Sequence, residues 1–155
     1  MPPGTHFGKE YLQRRIATEF ALAAHIGVVV ESVDAAGVVL RAPLAPNANY
    51  KGTAFGGSLF SVAVLAGWAW ITRYLATEAF AADAVIQASS IRYLAPVHGE
   101  FRAKSQTPPR ADVEKLARML KRAGRGRIGL GVDILQGATL AARFDGVYAA
   151  IARDA

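Results

Sequence analysis

From Lys9 to His25 the apolar residues Leu12, Ile16, Phe20 and Ala23 recur every three or four positions, which predicts a helix with one buried face. Gly27 ends it. Val28 to Val33 is a β-branched run, Asp34-Ala35-Ala36-Gly37 reads as a hairpin turn, and Val38 to Leu44 is a second strand closed by Pro43 and Pro46. The stretch Ala45 to Gly57 is irregular and rich in Pro, Asn and Gly. It leads into Ser58 to Thr77, where Leu59, Phe60, Val62, Val64, Leu65, Trp68, Trp70 and Ile71 occupy nearly every face. A helix that is apolar all round is expected to be buried all round.

The second half reads mostly as strand. Val85 to Leu94 is one, ended by Pro96, and Glu100 to Gln106 is another. Asp112 to Ala123 is a charged helix with Val113, Leu116 and Leu120 as its apolar stripe. Ile128, Leu130, Val132 and Ile134 alternate as in a strand, Gln136-Gly137 turns the chain, and Thr139 to Ile151 is the last strand. The order is α-β-β-α-β-β-α-β-β, with two hairpins. It packs most simply as one antiparallel sheet curled around one buried central helix. No linker or repeat divides the sequence, so one α+β domain over residues 1–155 is expected.

Composition narrows the chemistry. With 52% hydrophobic and 19% charged residues the chain is not a disordered one. It has no cysteine, which excludes disulfides, thiolate nucleophiles and Cys-ligated zinc. Met1-Pro2-Pro3-Gly4-Thr5-His6 lacks the basic and apolar regions of a signal peptide. The apolar run Leu59 to Ile71 is shorter than the roughly 20 residues a membrane span needs. A soluble, cytoplasmic protein without a membrane partner is expected.

The loop before the central helix reads Asn49-Tyr50-Lys51-Gly52-Thr53-Ala54-Phe55-Gly56-Gly57-Ser58-Leu59-Phe60. Two adjacent glycines at a helix start allow close backbone approach to a ligand, and the unpaired N–H groups there favour negative charge. This segment resembles the N-x-x-G-T-x-H-G-G loop of hotdog acyl-CoA thioesterases. Tyr93-Leu94-Ala95-Pro96 resembles their Y-x-x-P. Phe55 in the His position and the ending Arg143-Phe144-Asp145-Gly146-Val147-Tyr148 resemble a bacterial thioesterase-like subfamily. In some members of that subfamily the domain follows an acetyltransferase domain.

The resemblance implies a hotdog fold, a curved antiparallel sheet wrapped around a long buried central helix. It implies a thioester hydrolase acting on acyl-CoA or acyl-carrier-protein thioesters, with no cofactor beyond the coenzyme A of the substrate. It also implies a homodimer at least, with sites at the subunit interface. Carried over by position, Asn49 holds the thioester or its attacking water, and the Gly57 N–H forms the oxyanion hole. Ser58 is a candidate to orient water, while Phe55 and Gly56 line the substrate. The chain departs from the pattern in two places. Phe55 replaces the usual His, and Val64 falls where the helix carboxylate of that branch would stand. No Asp or Glu occurs from Ala35 to Thr77, so a general base must come from another element or a second subunit. A non-catalytic acyl-thioester-binding or assembly module is the alternative.

Other signals are weaker. His6, His25 and His98 have structural explanations, and no pair has metal-ligand spacing, so no metal is expected. Gly124-Arg125-Gly126-Arg127-Ile128-Gly129 matches the dinucleotide fingerprint in letters, but a helix precedes it and a strand follows, the reverse of the required order. From Arg110 to Arg127 seven basic residues face two acids, which holds nearly all of the chain's +6. Arg125 and Arg127 are the candidates there for gripping the phosphates of coenzyme A or an acidic carrier protein. Without interleaved aromatic residues, nucleic acid is not an expected partner.

Overall fold

A computed structural model describes residues 6–154; the leader reading of Met1–Thr5 lies outside them. The chain forms α1 (Lys9–Glu19), α2 (Ala21–Ile26), β1 (Val29–Asp34), β2 (Gly37–Ala42), α3 (Gly56–Thr77), β3 (Ala82–Tyr93), β4 (Phe101–Ser105), α4 (Arg110–Ala123), β5 (Arg125–Gln136) and β6 (Thr139–Ala152). The six strands make one sheet in the order β1-β2-β4-β5-β6-β3, every neighbouring pair antiparallel. It curves around α3 as the hotdog arrangement requires. Both hairpins, β1–β2 and β5–β6, form as expected.

Alternation sets the faces. Ile128, Leu130, Val132 and Ile134 of β5 are buried and turned toward α3, while Arg125, Arg127 and Gly129 lie on the outer face. On β6 the same inner row holds Phe144, Gly146 and Tyr148. Tyr148 is fully buried, and its hydroxyl donates to the Val64 carbonyl at 2.7 Å. Burial pushes the phenol pKa up, so the hydroxyl stays protonated and acts as a donor. The sheet is thereby tied to the middle of the central helix, at Val64, where the resemblance leads to the expectation of a carboxylate. At 22 residues α3 is long and apolar enough to cross a membrane, longer than the run read from sequence. Its most apolar window is 61% buried inside the protein, as suits a core helix.

Several boundaries differ from the sequence reading, and β3 begins at Ala82 rather than Val85. The first helix breaks at Phe20 (φ −125°, ψ 99°), whose ring turns edge-on to Trp68 with centroids 4.7 Å apart. The central helix starts at Gly56 rather than Ser58. Strand β5 starts at Arg125, directly after the Gly124 cap of α4, so the apparent nucleotide fingerprint runs from a helix cap into a strand. Gly126 belongs to packing: a Cβ there would meet Leu116 Cδ1 at 2.9 Å, because α4 crosses β5 at that point.

One ion-pair cluster ties the first strands together. Arg102 Nε and Nη2 donate to the Glu31 carboxylate at 2.7 and 2.8 Å, and Arg41 and Glu100 lie within 3.8 Å of the pair. The Arg102 hydrogen bonds hold the Glu31 carboxyl below its usual value of 4.5. A depressed carboxylate contributes stability above its unfolded pKa and loses it as pH falls through the folded pKa. Thermal stability is therefore expected to fall below about pH 4.5 with a shallower slope in Arg102→Met than in wild type. Scanning calorimetry from pH 3 to pH 7 checks this, and equal slopes would remove the pair from the account.

Candidate functional site

The N-terminus of α3 is built by the loop before it. Asn47 is 1% exposed. Its Nδ2 donates to the carbonyls of Ile26 and Pro43 at 2.9 and 2.8 Å, and its backbone carbonyl accepts the Phe55 N–H at 2.7 Å. The sequence reading passed over this residue. A polar side chain in a Pro-Asn-rich stretch looks like ordinary loop, and its partners lie on α2 and at the end of β2. Replacing Asn47 with Ala leaves the buried Ile26 carbonyl without its donor and the Pro43 carbonyl to water, so a loss of about 1–3 kcal/mol is expected, read from the urea midpoint. An unchanged midpoint would mean that the loop relaxes to water.

Asn49 lies in the turn beyond the Ala48–Ala54 bridge. Its Oδ1 accepts the Lys51 and Thr53 N–H groups at 2.9 and 3.2 Å, and its Nδ2 donates to Thr53 Oγ1 at 2.9 Å. The side chain thus closes the turn, and one amide hydrogen is left for a ligand.

Phe55 is the residue before the helix and is 59% exposed. Its ring lies over Gly57: a Cβ at position 57 would meet the ring inside van der Waals contact, 2.8 Å from Cζ. No side chain caps α3. The first backbone bonds run from Ser58 and Leu59 to the Phe55 carbonyl, so the Gly56 and Gly57 N–H groups have no protein acceptor among the described residues. Ser58 stands half-buried in the same turn. Tyr93 of β3 donates its hydroxyl to the Gly56 carbonyl at 2.8 Å, and its ring is 3.2 Å from where a Gly56 Cβ would lie. An open groove of about 360 Å³ runs beside these groups, lined by Gly56, Leu59, Tyr93, Leu94, Pro96 and Val97 among others. The site accordingly offers two free N–H donors at the positive end of a long helix, a tyrosine hydroxyl and an apolar trough. No carboxylate lines it. The Y-x-x-P segment was visible in the sequence, but the hydroxyl contact with Gly56 was not.

Other residues singled out from sequence lie elsewhere. Trp68 packs on Phe20, Trp70 stacks on Tyr74 with centroids 5.7 Å apart, and Phe60 meets Phe144. Arg125 and Arg127 are on the outer face of β5. Through Ala142, Tyr93 lies level with Ile134, seven residues along β5 from Arg127. At about 3.3 Å per residue the separation is about 23 Å along the strand, with the sheet in between. Within one protomer these arginines do not share a site with Gly57. Among the described residues no cluster of His, Asp or Glu could hold a metal ion.

A curved antiparallel sheet around a helix whose N-terminus carries two free glycine N–H groups is the form of the hotdog thioesterases. The chain belongs to the family described as "Putative thioesterase (yiiD_Cterm)", whose model matches residues 9–152. Among solved structures it is similar to a protein of unknown function from Chlorobaculum tepidum, with 30% identity, a TM-score of 0.90 and 94% of each chain covered. A "putative thioesterase" of Shewanella oneidensis is 26% identical, with a TM-score of 0.84, over 92% of this chain and 96% of that one. The PaaI protein of the E. coli phenylacetic acid degradation operon shares the fold at 21% identity, with a TM-score of 0.65, over 90% of this chain and 91% of that one.

Proposed function

We propose that the chain hydrolyses acyl thioesters of coenzyme A or of an acyl carrier protein, with the thioester carbonyl at the N-terminus of α3. The observation that carries this reading is the pair of uncommitted N–H groups of Gly56 and Gly57 at the head of a 22-residue helix. When water attacks, its oxygen bonds to the carbonyl carbon and the carbonyl oxygen becomes an oxyanion. The Gly57 N–H donates to that oxyanion, an interaction worth about 2.7–4 kcal/mol in comparable sites. The C–S bond then breaks, giving the carboxylic acid and the free thiol. Ser58 and the remaining Asn49 amide hydrogen orient the water or the thioester. Phe55 and Gly56 wall the acyl entrance.

The base comes from a second copy in this reading. Strand β3 is a 12-residue edge without Lys or Pro, and it exposes Val85 and Ile86. Such an edge pairs readily with another strand. Antiparallel pairing of two β3 edges brings the Ala82 end of one protomer to the Tyr93 end of the other, beside the groove. In this reading the protein acts as a homodimer in the cytoplasm, with no cofactor other than the coenzyme A of the substrate and no nucleic-acid or membrane partner.

A free-thiol release assay over acyl-CoAs and acyl-carrier thioesters of several chain lengths tests the reading, with Asn49→Ala alongside and mass measured by light scattering. Turnover that falls in Asn49→Ala, from a species of two or more chains, is expected. The second reading, a non-catalytic binding module, is favoured by the absence of a carboxylate in the groove and by Phe55 in the His position. Clear acyl-CoA binding without thiol release would select it. Neither binding nor turnover would overturn both.

A further inference from the structure

The outward face of α4 carries four cations without a counter-ion among the described residues. Leu116 and Leu120 turn inward, and Lys115, Arg118, Lys121 and Arg122 are exposed on the opposite side at three- and four-residue spacings. None of the four forms an ion pair among the described residues, whereas Arg15, Arg41, Arg102, Arg110, Arg143 and Arg153 all do. The acid on that face, Glu114, is taken by Arg110. Like charges at such spacings destabilise a helix. Lys121 and Arg122 lie in the last turn, where a cation suits the helix dipole. Lys115 and Arg118 have no such explanation, so the charge that they match lies outside the chain. From Lys115 to Arg122 the row is about 10 Å long. It is convex and carries no aromatic side chain, so a nucleotide base has nothing to stack on there. A row of carboxylates on the surface of another protein fits it in charge and in shape.

We infer that this face docks an acidic acyl carrier protein and that the carrier's thioester enters the groove of the other subunit. The inference rests on the function proposed above and on its pairing of two β3 edges. Leu116 of α4 lies over Gly126, on the same face of the sheet as α3. Gly126 pairs with Ala150, and Ala150 with Ala84. When β3 pairs with its copy along its whole length, Ala82 faces Tyr93 of the partner subunit, and Ala84 therefore faces Ile91 of the partner subunit. Three strand spacings and two residues then separate Gly126, beneath α4, from Tyr93 of the partner subunit, about 16 Å in all. The phosphopantetheine arm of a carrier, with the length of about five extended residues, spans about 17 Å. Such an arm reaches from α4 of one subunit to the glycine N–H groups at the head of α3 in the other. Coenzyme A has the same arm, but its adenine finds no slot on α4.

Charge reversal on α4 tests it. Wild type and the double variant Lys115→Glu/Arg118→Glu are compared after a check for equal circular dichroism. The probes are a bacterial holo acyl carrier protein, its acylated form and the matching acyl-CoA. In calorimetric titration at low salt the holo carrier should bind wild type, and bind the variant at least about tenfold more weakly. In thiol release, KM for the acyl carrier should rise by the same factor with kcat unchanged, while KM for acyl-CoA stays within about twofold. Mixed dimers read the reach between subunits. A Gly57→Pro subunit, lacking the proposed donor but with α4 intact, should support carrier turnover by a charge-reversed partner. A Gly57→Pro subunit that also bears the reversal should not support a wild-type partner. The opposite result would overturn delivery across the dimer. Unchanged carrier affinity, no carrier binding by wild type, an equal loss for acyl-CoA, or a DNA duplex held as tightly by the same two residues would each overturn the docking. Failure of the hydrolase reading is distinct from these. Carrier binding through α4 without thiol release would remove turnover and leave the docking, and acyl-CoA turnover without carrier binding would do the reverse.

Discussion

Gly67→Ala is expected to destabilise the protein by about 3 kcal/mol, although glycine to alanine inside a helix ordinarily stabilises by about 0.5–1 kcal/mol. The reversal of sign comes from Tyr148. A Cβ at position 67 would lie 2.6 Å from Tyr148 Cζ and 2.8 Å from Cε2, with the hydroxyl closer still. The ring has nowhere to go. It is fully buried, its hydroxyl is bonded to the Val64 carbonyl, and Gly146 beneath it would itself clash with the ring if it bore a Cβ. Either α3 moves off the sheet or Tyr148 gives up its hydrogen bond. At about 2–4 °C per kcal/mol for a chain of this size, the midpoint should fall by about 6–12 °C. Tyr148→Phe alone loses one hydrogen bond, about 1 kcal/mol. The double variant should lose less than the sum, because removing the hydroxyl relieves the worst contact. Thermal unfolding followed by circular dichroism reads all three, and a Gly67→Ala midpoint at or above wild type would show that sheet and helix are less tightly coupled than the contact distances require.

The same contact illustrates what the sequence disclosed. The alternation of β5 and the apolar central segment were enough to place one sheet around one helix, because both patterns are local and strong. Gly67 looked like an interruption of the apolar run, yet it is the point where a tyrosine 81 residues later fits against the helix. Pairings of that separation leave no trace in periodicity. Phe20 is a similar case. Its spacing continued the first helix, and only the distant Trp68 ring explains the break. At the site, the glycine pair and its helix start were legible from residue types alone. The hydrogen-bond duties of Asn47, Asn49 and Tyr93 were not, since a side chain's partners are set by where the loop folds. The basic segment is a further case: its charge can be counted in a sequence, but the face of the sheet and the end of the strand on which it sits cannot be read there.

Comparison of Gly57→Pro with Gly57→Ala isolates the proposed oxyanion donor. Both variants put a Cβ against the Phe55 ring, and both should tolerate it, because that ring is exposed and can swing outward. Only proline removes the N–H. It does so in the first turn of α3, where a helix does not use that donor and where proline is accommodated. The preceding residue is Gly56, which has no Cβ to collide with the proline ring. Whatever the shared steric change does to acyl entry, it cancels in the ratio of the two rates. If the Gly57 N–H stabilises the developing oxyanion, kcat for thiol release should be about 10²–10³ lower in Gly57→Pro than in Gly57→Ala, with KM little changed. A fall confined to KM would place the N–H on the ground-state carbonyl, in binding rather than in catalysis. Equal kcat and equal KM would move the chemistry away from the head of α3.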